Sequence, residues 1–358
     1  MNPGGQPPPR PSSSLLPAWL RWSGPFLALG YELGSRVHRA LAKPQPAPIA
    51  TICVGNLTVG GTGKTPATKY LARGLAERGR KPAVLMRGYK GQSIDEAGEV
   101  TRALGDLKVP VIIGADRLAG ARKAREPGCD VAVLDDGFQH WRLARDLDIV
   151  LVDATIPFGG GHLAPWGRLR ERPAALARGG AVIITRADTV PAEELARIEK
   201  EVRRHAPQAV LVKARHAPFA LRACTGGQEA LPLEKLKGLP VCAVCGVGNP
   251  SAFFQTLQQL GADVLNLTAF ADHCEYDARE VNSHLVPLAE KLGAKAIVVT
   301  EKDAAKLEPL LTGVSFPVWA LSVRFEVFEG EAALWDVVMQ ALARAERRLK
   351  AAQSPRLS

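Results

Sequence analysis

The stretch that decides the fold is Thr58-Val-Gly-Gly-Thr-Gly-Lys-Thr65, which follows the apolar run IATICVG at 49–55. It matches the P-loop pattern G-x-x-x-x-G-K-[ST], except that Thr58 stands at the position of the first glycine. The residues after it, TPATKYLARGLAERG, have helical periodicity. A strand before the loop and a helix after it form the context that this motif requires. The stretch therefore predicts a strand–loop–helix unit that binds phosphate groups.

The residue types of this loop suit phosphate binding. Its glycines let backbone N–H groups approach phosphate oxygens closely, and the N-terminus of the following helix adds partial positive charge. Lys64 is expected to reach the β- and γ-phosphates, and the Thr65 hydroxyl to coordinate Mg²⁺. The residues predicted to bind the nucleotide are Thr58, Val59, Gly60, Gly61, Thr62, Gly63, Lys64 and Thr65.

An acidic pair follows a later apolar run. In DVAVLDDGFQH, Asp135 and Asp136 come directly after four apolar residues. Adjacent buried carboxylates need a cation or hydrogen-bond donors to offset their desolvation. We therefore predict that Asp135 and Asp136, together with Thr65, hold Mg²⁺. The alternative is that one aspartate caps a helix and the other is exposed.

Apolar runs alternate with helical stretches along most of the chain. This alternation is typical of a parallel sheet that is covered by helices on both faces. At 358 residues the chain is long for a single core, and the pattern weakens at 216–238. We predict an α/β fold with a mostly parallel P-loop domain at 49–215, a connection at 216–238 and a second, smaller α/β domain at 239–350.

The N-terminal region has a different composition. Residues 1–14 are rich in Pro, Ser and Gly, which predicts a disordered tail. The segment 15–42 has too few consecutive apolar residues to span a bilayer. Its apolar residues recur at helical spacing beside arginines, which favours an amphipathic helix in a membrane interface over one packed on the domain. The apolar positions are Trp19, Trp22, Phe26, Leu29, Leu33, Val37 and Leu41.

Charge and cysteine content limit the classes of partner and ligand that the chain is expected to bind. With 46 Lys+Arg against 36 Asp+Glu, the formal net charge is +10, which favours anionic partners. We find no aromatic-and-basic module typical of nucleic-acid binding, so we expect no nucleic-acid partner, and we infer no obligate protein partner. The lone pair Cys242 and Cys245 lacks the further ligands of a zinc site and is interpreted as buried thiols.

Taken in order, several motifs resemble the tetraacyldisaccharide 4'-kinase (lipid A 4'-kinase) family. The motifs are VGNLTVGGTGKTP, MRGY, DDGFQH, FGGGHLAPWGRLRERP, ADHCEYD and VVTEKDAAKL. The resemblance implies two Rossmann-like α/β domains and a kinase that uses ATP and Mg²⁺. The implied substrate is a lipid, tetraacyl-disaccharide 1-phosphate, which is phosphorylated on its 4'-hydroxyl to give lipid IVA. The implied location is the cytoplasmic face of the bacterial inner membrane, as a peripheral protein on the membrane surface.

The resemblance also carries two catalytic residues over to this chain. The family's catalytic Asp falls on Asp95, where Ile94 replaces the glycine of the family motif. Its catalytic His falls on His273, which Cys274 follows where many members have a second His. Asp95 is expected to accept the hydroxyl proton, with His273 tuning or relaying it. The roles left open are those of Glu171 and of the nearby arginines Arg168, Arg170 and Arg172, which face the anionic headgroup or are solvated.

A competing function is a P-loop ATPase that acts as a partner- or metallocentre-loading switch. Such proteins often carry a lysine before the double glycine, where this chain has Val59. ATP hydrolysis that needs no acceptor would favour the switch, whereas phosphate transfer to a substrate would favour the kinase.

Overall fold

The computed structural model describes residues 23–88, 92–226, 230–271 and 274–353, with the side chains of 92–96, 280, 282 and 353 excepted. Contacts divide the chain into two units. We call them the P-loop unit, which comprises 23–215 and 325–353 of the described residues, and the second unit, which comprises 216–324.

The P-loop unit begins with a helix and continues as alternating strands and helices. Its elements are α1 (Gly24–Leu41), β1 (Ala50–Asn56), α2 (Lys64–Glu77), β2 (Pro82–Met86), α3 (Gln92–Ala103), β3 (Val111–Ile113), α4 (Arg117–Arg125), β4 (Val131–Asp135), β5 (Leu147–Asp153), β6 (Ala181–Thr185) and α5 (Ala192–His205). Strand β7 (Val210–Ala223) begins in this unit and ends in the second.

The strands of the P-loop unit follow the order β7-β6-β5-β1-β4-β2-β3, and each neighbouring pair is parallel. Every residue of β1, β2, β4 and β6 is buried, because both faces of the sheet are covered. Ile52 of β1 joins the core that contains Leu71 of α2, and the next residue, Cys53, joins the core on the opposite face. The chain runs outward from β1 in one direction and then in the other, so β1 lies at a topological switch point, where open α/β sheets bind ligands.

The second unit is a smaller parallel α/β assembly. Its elements are β8 (Ala230–Leu231), β9 (Pro240–Cys245), α6 (Pro250–Gln259), β10 (Asp263–Ala269), α7 (Ala278–Glu280), α8 (Val286–Lys291), β11 (Ala296–Thr300), α9 (Glu301–Leu307) and the first part of β12 (Val318–Glu329). Strand β12 begins in this unit and ends in the P-loop unit. The order β10-β9-β11-β12 is parallel throughout, and a π-helical turn at 281–285 joins α7 to α8.

The C-terminal helix α10 (Glu331–Gln353) belongs to the P-loop unit. Leu334, Trp335 and Val338 are buried in the same core as Ile52. This differs from the domain expected at 239–350, because an apolar helical stripe shows that a helix is packed but not which sheet it covers. The expected connection at 216–238 also begins inside strand β7, whose burial alternates so that no continuous apolar run marks it in the sequence.

Helix α1 packs on the P-loop unit through one face only. Gly24 and Ala28 are buried, and a Cβ at Gly24 would lie 2.6 Å from Cδ1 of Trp166. Glu32 forms an ion pair with Arg172 at 2.7 Å. The other face is apolar and exposed, with Phe26, Leu29, Leu33, Val37 and Leu41 between 50% and 76% accessible. Among the described residues, no helix combines the length and the hydropathy needed to cross a membrane.

The structure locates the described part of the predicted 15–42 helix at Gly24–Leu41. Pro25 lies in the first turn of α1, where its missing N–H costs no hydrogen bond, and therefore it neither bends nor restarts the described helix. Trp19 and Trp22, and the tail at 1–14, lie outside the described residues.

Candidate functional site

The P-loop connects the end of β1 to the start of α2. Two of its glycines have positive φ, Gly60 at 119° and Gly63 at 86°, a region that favours glycine. Within the loop, Asn56 Nδ2 donates to Thr62 Oγ1 at 2.8 Å, and the hydroxyl of Thr185 from β6 donates to the Thr62 carbonyl at 3.0 Å. These contacts hold the loop against the carboxyl ends of β1 and β6.

A second chain segment, the PWGRLRER segment (165–172), also braces the P-loop. The Val59 N–H donates to the Arg168 carbonyl at 2.7 Å, and the Arg170 N–H donates to the Leu57 carbonyl at 2.6 Å. Thr58 and Leu169 form an antiparallel bridge between these two bonds. The departure from glycine at Thr58 is therefore compatible with this loop, since the residue pairs as a short strand.

Lys64 and the acidic pair meet at this edge of the sheet. Lys64 Nζ lies 3.9 Å from Oδ1 of Asp136 and 3.4 Å from the Gly60 carbonyl oxygen. Asp135 accepts hydrogen bonds from the hydroxyls of Thr65 and Thr68, at 3.2 and 2.9 Å. The structure thus brings together the lysine, the threonine and both aspartates that the sequence selected.

The pKa values of the two aspartates are shifted in opposite directions. Burial raises the pKa of Asp135, although the charge of Lys64 and the hydroxyl of Thr68 act against the rise. Burial also opposes ionisation of Asp136, but Lys64 and Arg170 outweigh it and lower the pKa of that carboxyl. A cation beside Asp135 would offset the cost that burial imposes on its charge.

The donor set fits Mg²⁺ better than a soft metal. The Asp135 carboxylate and the Thr65 hydroxyl supply hard oxygen atoms and lie within hydrogen-bond distance of each other. No group of three or more His, Cys, Asp or Glu side chains among the described residues forms a metal cluster. Mg²⁺ usually keeps waters and substrate phosphates as ligands and takes only one or two carboxylates from the protein.

Beside the acidic pair, a polar network that the sequence left unassigned orders the loop after β4. Arg170 Nη1 donates to both oxygens of Asp136, at 2.9 and 3.1 Å, and to Gln139 Oε1 at 3.2 Å. Gln139 Nε2 in turn donates to the Asn56 carbonyl and to Glu171. Arg178 forms a two-bond pair with Glu171. Glu171 and Arg170 are thus parts of this network. Gln139 belongs to the DDGFQH motif, but the sequence alone does not predict its role.

A buried arginine lies on the other side of the acidic pair. Arg117 is 2% exposed and donates to the carbonyl oxygens of Gly114 and Asp135, at 2.5 and 3.1 Å. Burial lowers its pKa to about 10, so the guanidinium stays charged at neutral pH. Burial, with the charges of Arg117 and Arg145, lowers the pKa of His140 to about 4, so that the imidazole is neutral. Neither residue was selected from the sequence, because only the fold brings the start of α4 to the end of β4.

The carboxyl ends of β5 and β6 supply a further ion pair beside the loop. Arg186, which has a φ of 53°, contacts Asp153 and lies 3.3 Å from the Gly61 carbonyl oxygen. The hydroxyl and N–H of Thr155 both donate to Asp153. The left-handed backbone at Arg186 is uncommon outside glycine and is typical of functional loops.

The two predicted catalytic residues are not placed at this site. The backbone of Asp95 lies in α3, but its side chain is outside the described part of the chain, and so is His273. In the second unit, Tyr276 donates to the buried Asp303 at 2.9 Å, and Lys306 donates to the Cys274 carbonyl at 2.8 Å.

The Cys242–Cys245 pair does not form a metal site in the described structure. Cys242 and Cys245 belong to the cores on opposite faces of β9, because three residues along a strand reverse the side-chain direction. Burial raises their pKa values to about 11 and about 12. Both are therefore protonated thiols, as the sequence interpretation holds.

A glycine-rich loop between a buried parallel strand and a helix, with a lysine, a threonine and an acidic strand end around it, defines a P-loop nucleotide-binding protein of the α/β class. The comparisons narrow this class. The family model of tetraacyldisaccharide-1-P 4'-kinase matches residues 20–343. The chain therefore belongs to the tetraacyldisaccharide-1-P 4'-kinase family.

Individual relatives agree with this family. A protein of Anaeromyxobacter dehalogenans named tetraacyldisaccharide 4'-kinase is 41% identical over 310 residues, or 81% of each chain. One of the same name from Halothermothrix orenii is 37% identical over 294 residues, which is 74% of this chain and 76% of that protein. The crystal structure of LpxK from Aquifex aeolicus in complex with ATP has a TM-score of 0.68 and 26% identity, over 90% of this chain and 99% of that chain. The resemblance and the mostly parallel α/β fold predicted from the sequence are confirmed.

Proposed function

We propose that this protein transfers the γ-phosphate of ATP to the 4'-hydroxyl of a tetraacyl-disaccharide 1-phosphate, giving lipid IVA. One observation carries the proposal. In a chain of this family, Lys64, Thr65 and the acidic pair lie together at the carboxyl ends of the sheet strands. This chain covers most of the length of relatives that are named for this reaction. This coverage supports the same substrate class here.

The chemistry requires positioning and neutralisation of charge. The oxygen of the acceptor hydroxyl forms a bond to the γ-phosphorus, the bond from that phosphorus to the β,γ-bridging oxygen breaks, and its electron pair leaves with ADP. Lys64 and the glycine N–H groups hold the phosphates in line, and Asp135 and Asp136 with Thr65 would hold Mg²⁺. When bound, Mg²⁺ supplies positive charge to the transferring phosphoryl oxygens. We assign the acceptance of the hydroxyl proton to Asp95, tuned by His273, on the family resemblance.

The loading-switch alternative has no observation in its favour, and the family membership disfavours it. A single assay separates the two functions. The full chain is incubated with γ-labelled ATP, Mg²⁺ and the tetraacyl disaccharide in mixed micelles, and labelled lipid is separated from free phosphate. We expect label in the lipid, and markedly less of it with Asp95→Ala or His273→Ala. Free phosphate released at the same rate with and without the lipid would contradict the proposal.

We also propose that α1 binds the protein to the membrane surface, on the cytoplasmic face of the inner membrane, where a lipid acceptor resides. The exposed face of α1 is apolar, whereas its opposite face is fixed to the P-loop unit through Gly24, Ala28 and Glu32. Arg36 and Arg39 lie on the same helix. An apolar face beside cationic residues is the composition of an interfacial helix.

Placing acids on this face should release the protein from lipid. Phe26 and Leu33 are 74% and 63% exposed, so Phe26→Asp with Leu33→Asp perturbs no core. Each apolar side chain gains about 1.5–3 kcal/mol on full burial, and we therefore expect the double variant to partition onto vesicles at least about 100-fold more weakly. Co-sedimentation with phosphatidylethanolamine–phosphatidylglycerol vesicles measures this. Leu292→Asp, at a site that is 42% exposed in the second unit, is the matched control and should sediment normally. Equal sedimentation of the double variant would contradict the proposal.

A further inference from the structure

Arg168 presents its guanidinium to the P-loop. A Cβ added at Gly60 would lie 3.1 Å from Nη2 of Arg168, and the backbone of Arg168 is bonded to Val59. Its Nε is buried and has no hydrogen-bond partner among the described residues. The guanidinium of Arg168 therefore lies close to Gly60 of the P-loop.

The other three arginines of the stretch 165–178 have carboxylate partners. Arg170 pairs with Asp136 at 2.9 Å, Arg172 with Glu32 at 2.7 Å and Arg178 with Glu171 at 2.8 Å. Within the described part of the chain Arg168 forms no such pair. A partly buried guanidinium without an anion is costly, because its desolvation is not offset. The guanidinium of Arg168 is therefore available for an anionic ligand.

The position of Arg168 indicates which anion it meets. Lys64 Nζ lies 3.4 Å from the carbonyl oxygen of Gly60, so the lysine and Arg168 border the same glycine. A P-loop lysine reaches the β- and γ-phosphates. We propose that Arg168 is a catalytic residue that binds the terminal phosphates of ATP, as an arginine finger supplied by the chain itself. This inference rests on the proposed kinase function.

Such a contact favours the transition state over the ground state. As the bond to the β,γ-bridging oxygen breaks, negative charge grows on that oxygen and on the equatorial oxygens of the phosphoryl group. A guanidinium donates two hydrogen bonds in a fixed plane and remains charged, which suits two oxygens of neighbouring phosphates. Arg168 takes no proton in this step, since the hydroxyl proton goes to the base.

Backbone contacts of the PWGRLRER segment hold Arg168 in position before the nucleotide binds. The Arg168 N–H donates to the Gly159 carbonyl at 3.2 Å, while its carbonyl accepts from the P-loop. A Cβ at Gly159 would lie 2.7 Å from Cβ of Arg168, so glycine at 159 is required by the close approach. The guanidinium is thus held on a backbone that is already fixed to the phosphate loop, and it loses little entropy on binding.

The test compares Arg168→Ala and Arg168→Lys with the full-length parent. Affinities for MgADP and for a non-hydrolysable MgATP analogue are measured by calorimetry, and kcat is measured in the lipid transfer assay. We expect Arg168→Ala to lower kcat by about 1,000-fold, the range of arginine fingers. The analogue should bind at least about tenfold more weakly while the affinity for MgADP changes little, and lysine should restore part of kcat. Arg197→Ala, which removes an arginine that is 78% exposed on α5, is the control and should match the parent.

The outcomes separate the possible roles. Retention of kcat within threefold would overturn the proposal, as would equal losses of analogue and ADP affinity together with a lower Tm. A rise in KM for the lipid alone, with the preference for the analogue over ADP intact, would assign Arg168 to an acceptor phosphate and also overturn it. The nucleotide affinities are measured without an acceptor. A parent protein that binds nucleotide but labels no lipid would therefore contradict the kinase function, while the affinities of Arg168→Ala for the analogue and for MgADP would still test the phosphate contact.

Discussion

Replacement of Lys64 with methionine is expected to lower kcat by about 1,000-fold or more, with little change in stability. Methionine keeps the length of the side chain and removes its charge. The lysine lies 3.9 Å from Asp136 and is the P-loop cation placed to hold the β- and γ-phosphates, and loss of one such electrostatic contact typically costs 100- to 1,000-fold. Asp136 keeps Arg170 as a partner, so its charge is not left isolated. Steady-state transfer to the lipid and thermal unfolding measure the two effects.

The control is a lysine of the same helix. Lys69 pairs with Glu99 at 2.6 Å, away from the P-loop contacts, and a pair near the surface contributes at most about 1 kcal/mol. Lys69→Met should therefore leave kcat near that of the parent. If Lys64→Met kept kcat within tenfold of the parent, the assignment of this loop to the reacting phosphates would be wrong.

The P-loop could be found from the sequence because its chemistry is local. Strand, glycines, lysine and helix follow one another within 49–77, and their order alone determines the geometry. Asp135 was found for a related reason, since the end of a buried parallel strand must lie at the same edge as the end of β1. A buried parallel strand before each motif is sufficient to predict that both lie at the same edge of the sheet.

The partners of these residues were not predictable in the same way. Arg170 reaches Asp136 only because the PWGRLRER segment pairs with Leu57 and Val59, and no periodicity marks that short bridge. Arg117 becomes buried because β2 and β3 lie beyond β4 in the sheet, an order that the sequence pattern does not contain. The run of three arginines in PWGRLRER appeared uniform, whereas the structure gives Arg170 and Arg172 carboxylate partners and leaves Arg168 at the phosphate loop.

The limits of the two units were also not predictable from the sequence. Helix α10 has an apolar stripe that any sheet could cover, and residues of that stripe join the core of β1, about 280 positions earlier in the chain. Strand β7 contains no continuous apolar run along its length, since only some of its residues are buried. Long-range pairing decided both, and it is the part of the fold that composition and spacing do not encode.

Replacement of Asp135 with asparagine is expected to separate activity from stability. The variant keeps the shape of the side chain and its place among Thr65 and Thr68, but it removes the anionic oxygen that would hold Mg²⁺. Because the charge that the metal supplies is worth several kcal/mol in the transition state, we expect kcat to fall by about 1,000-fold.

Stability should move in the other direction. Burial raises the pKa of Asp135 in the folded state above that in the unfolded state. The ionisation of Asp135 therefore destabilises the fold progressively as the pH rises from the unfolded pKa through the folded pKa, and the cost persists above it. The neutral amide lacks this cost, and at pH 8 the metal-free variant should unfold at a Tm equal to or above that of the parent. Addition of MgADP should raise the Tm of the parent more than that of the variant, since only the parent retains the metal-binding carboxylate. Asp106→Asn, on an exposed carboxylate paired with Arg73, is the control and should change neither kcat nor the MgADP shift. A variant at 135 that kept kcat within tenfold, or that responded to MgADP as the parent does, would remove Asp135 from the metal site.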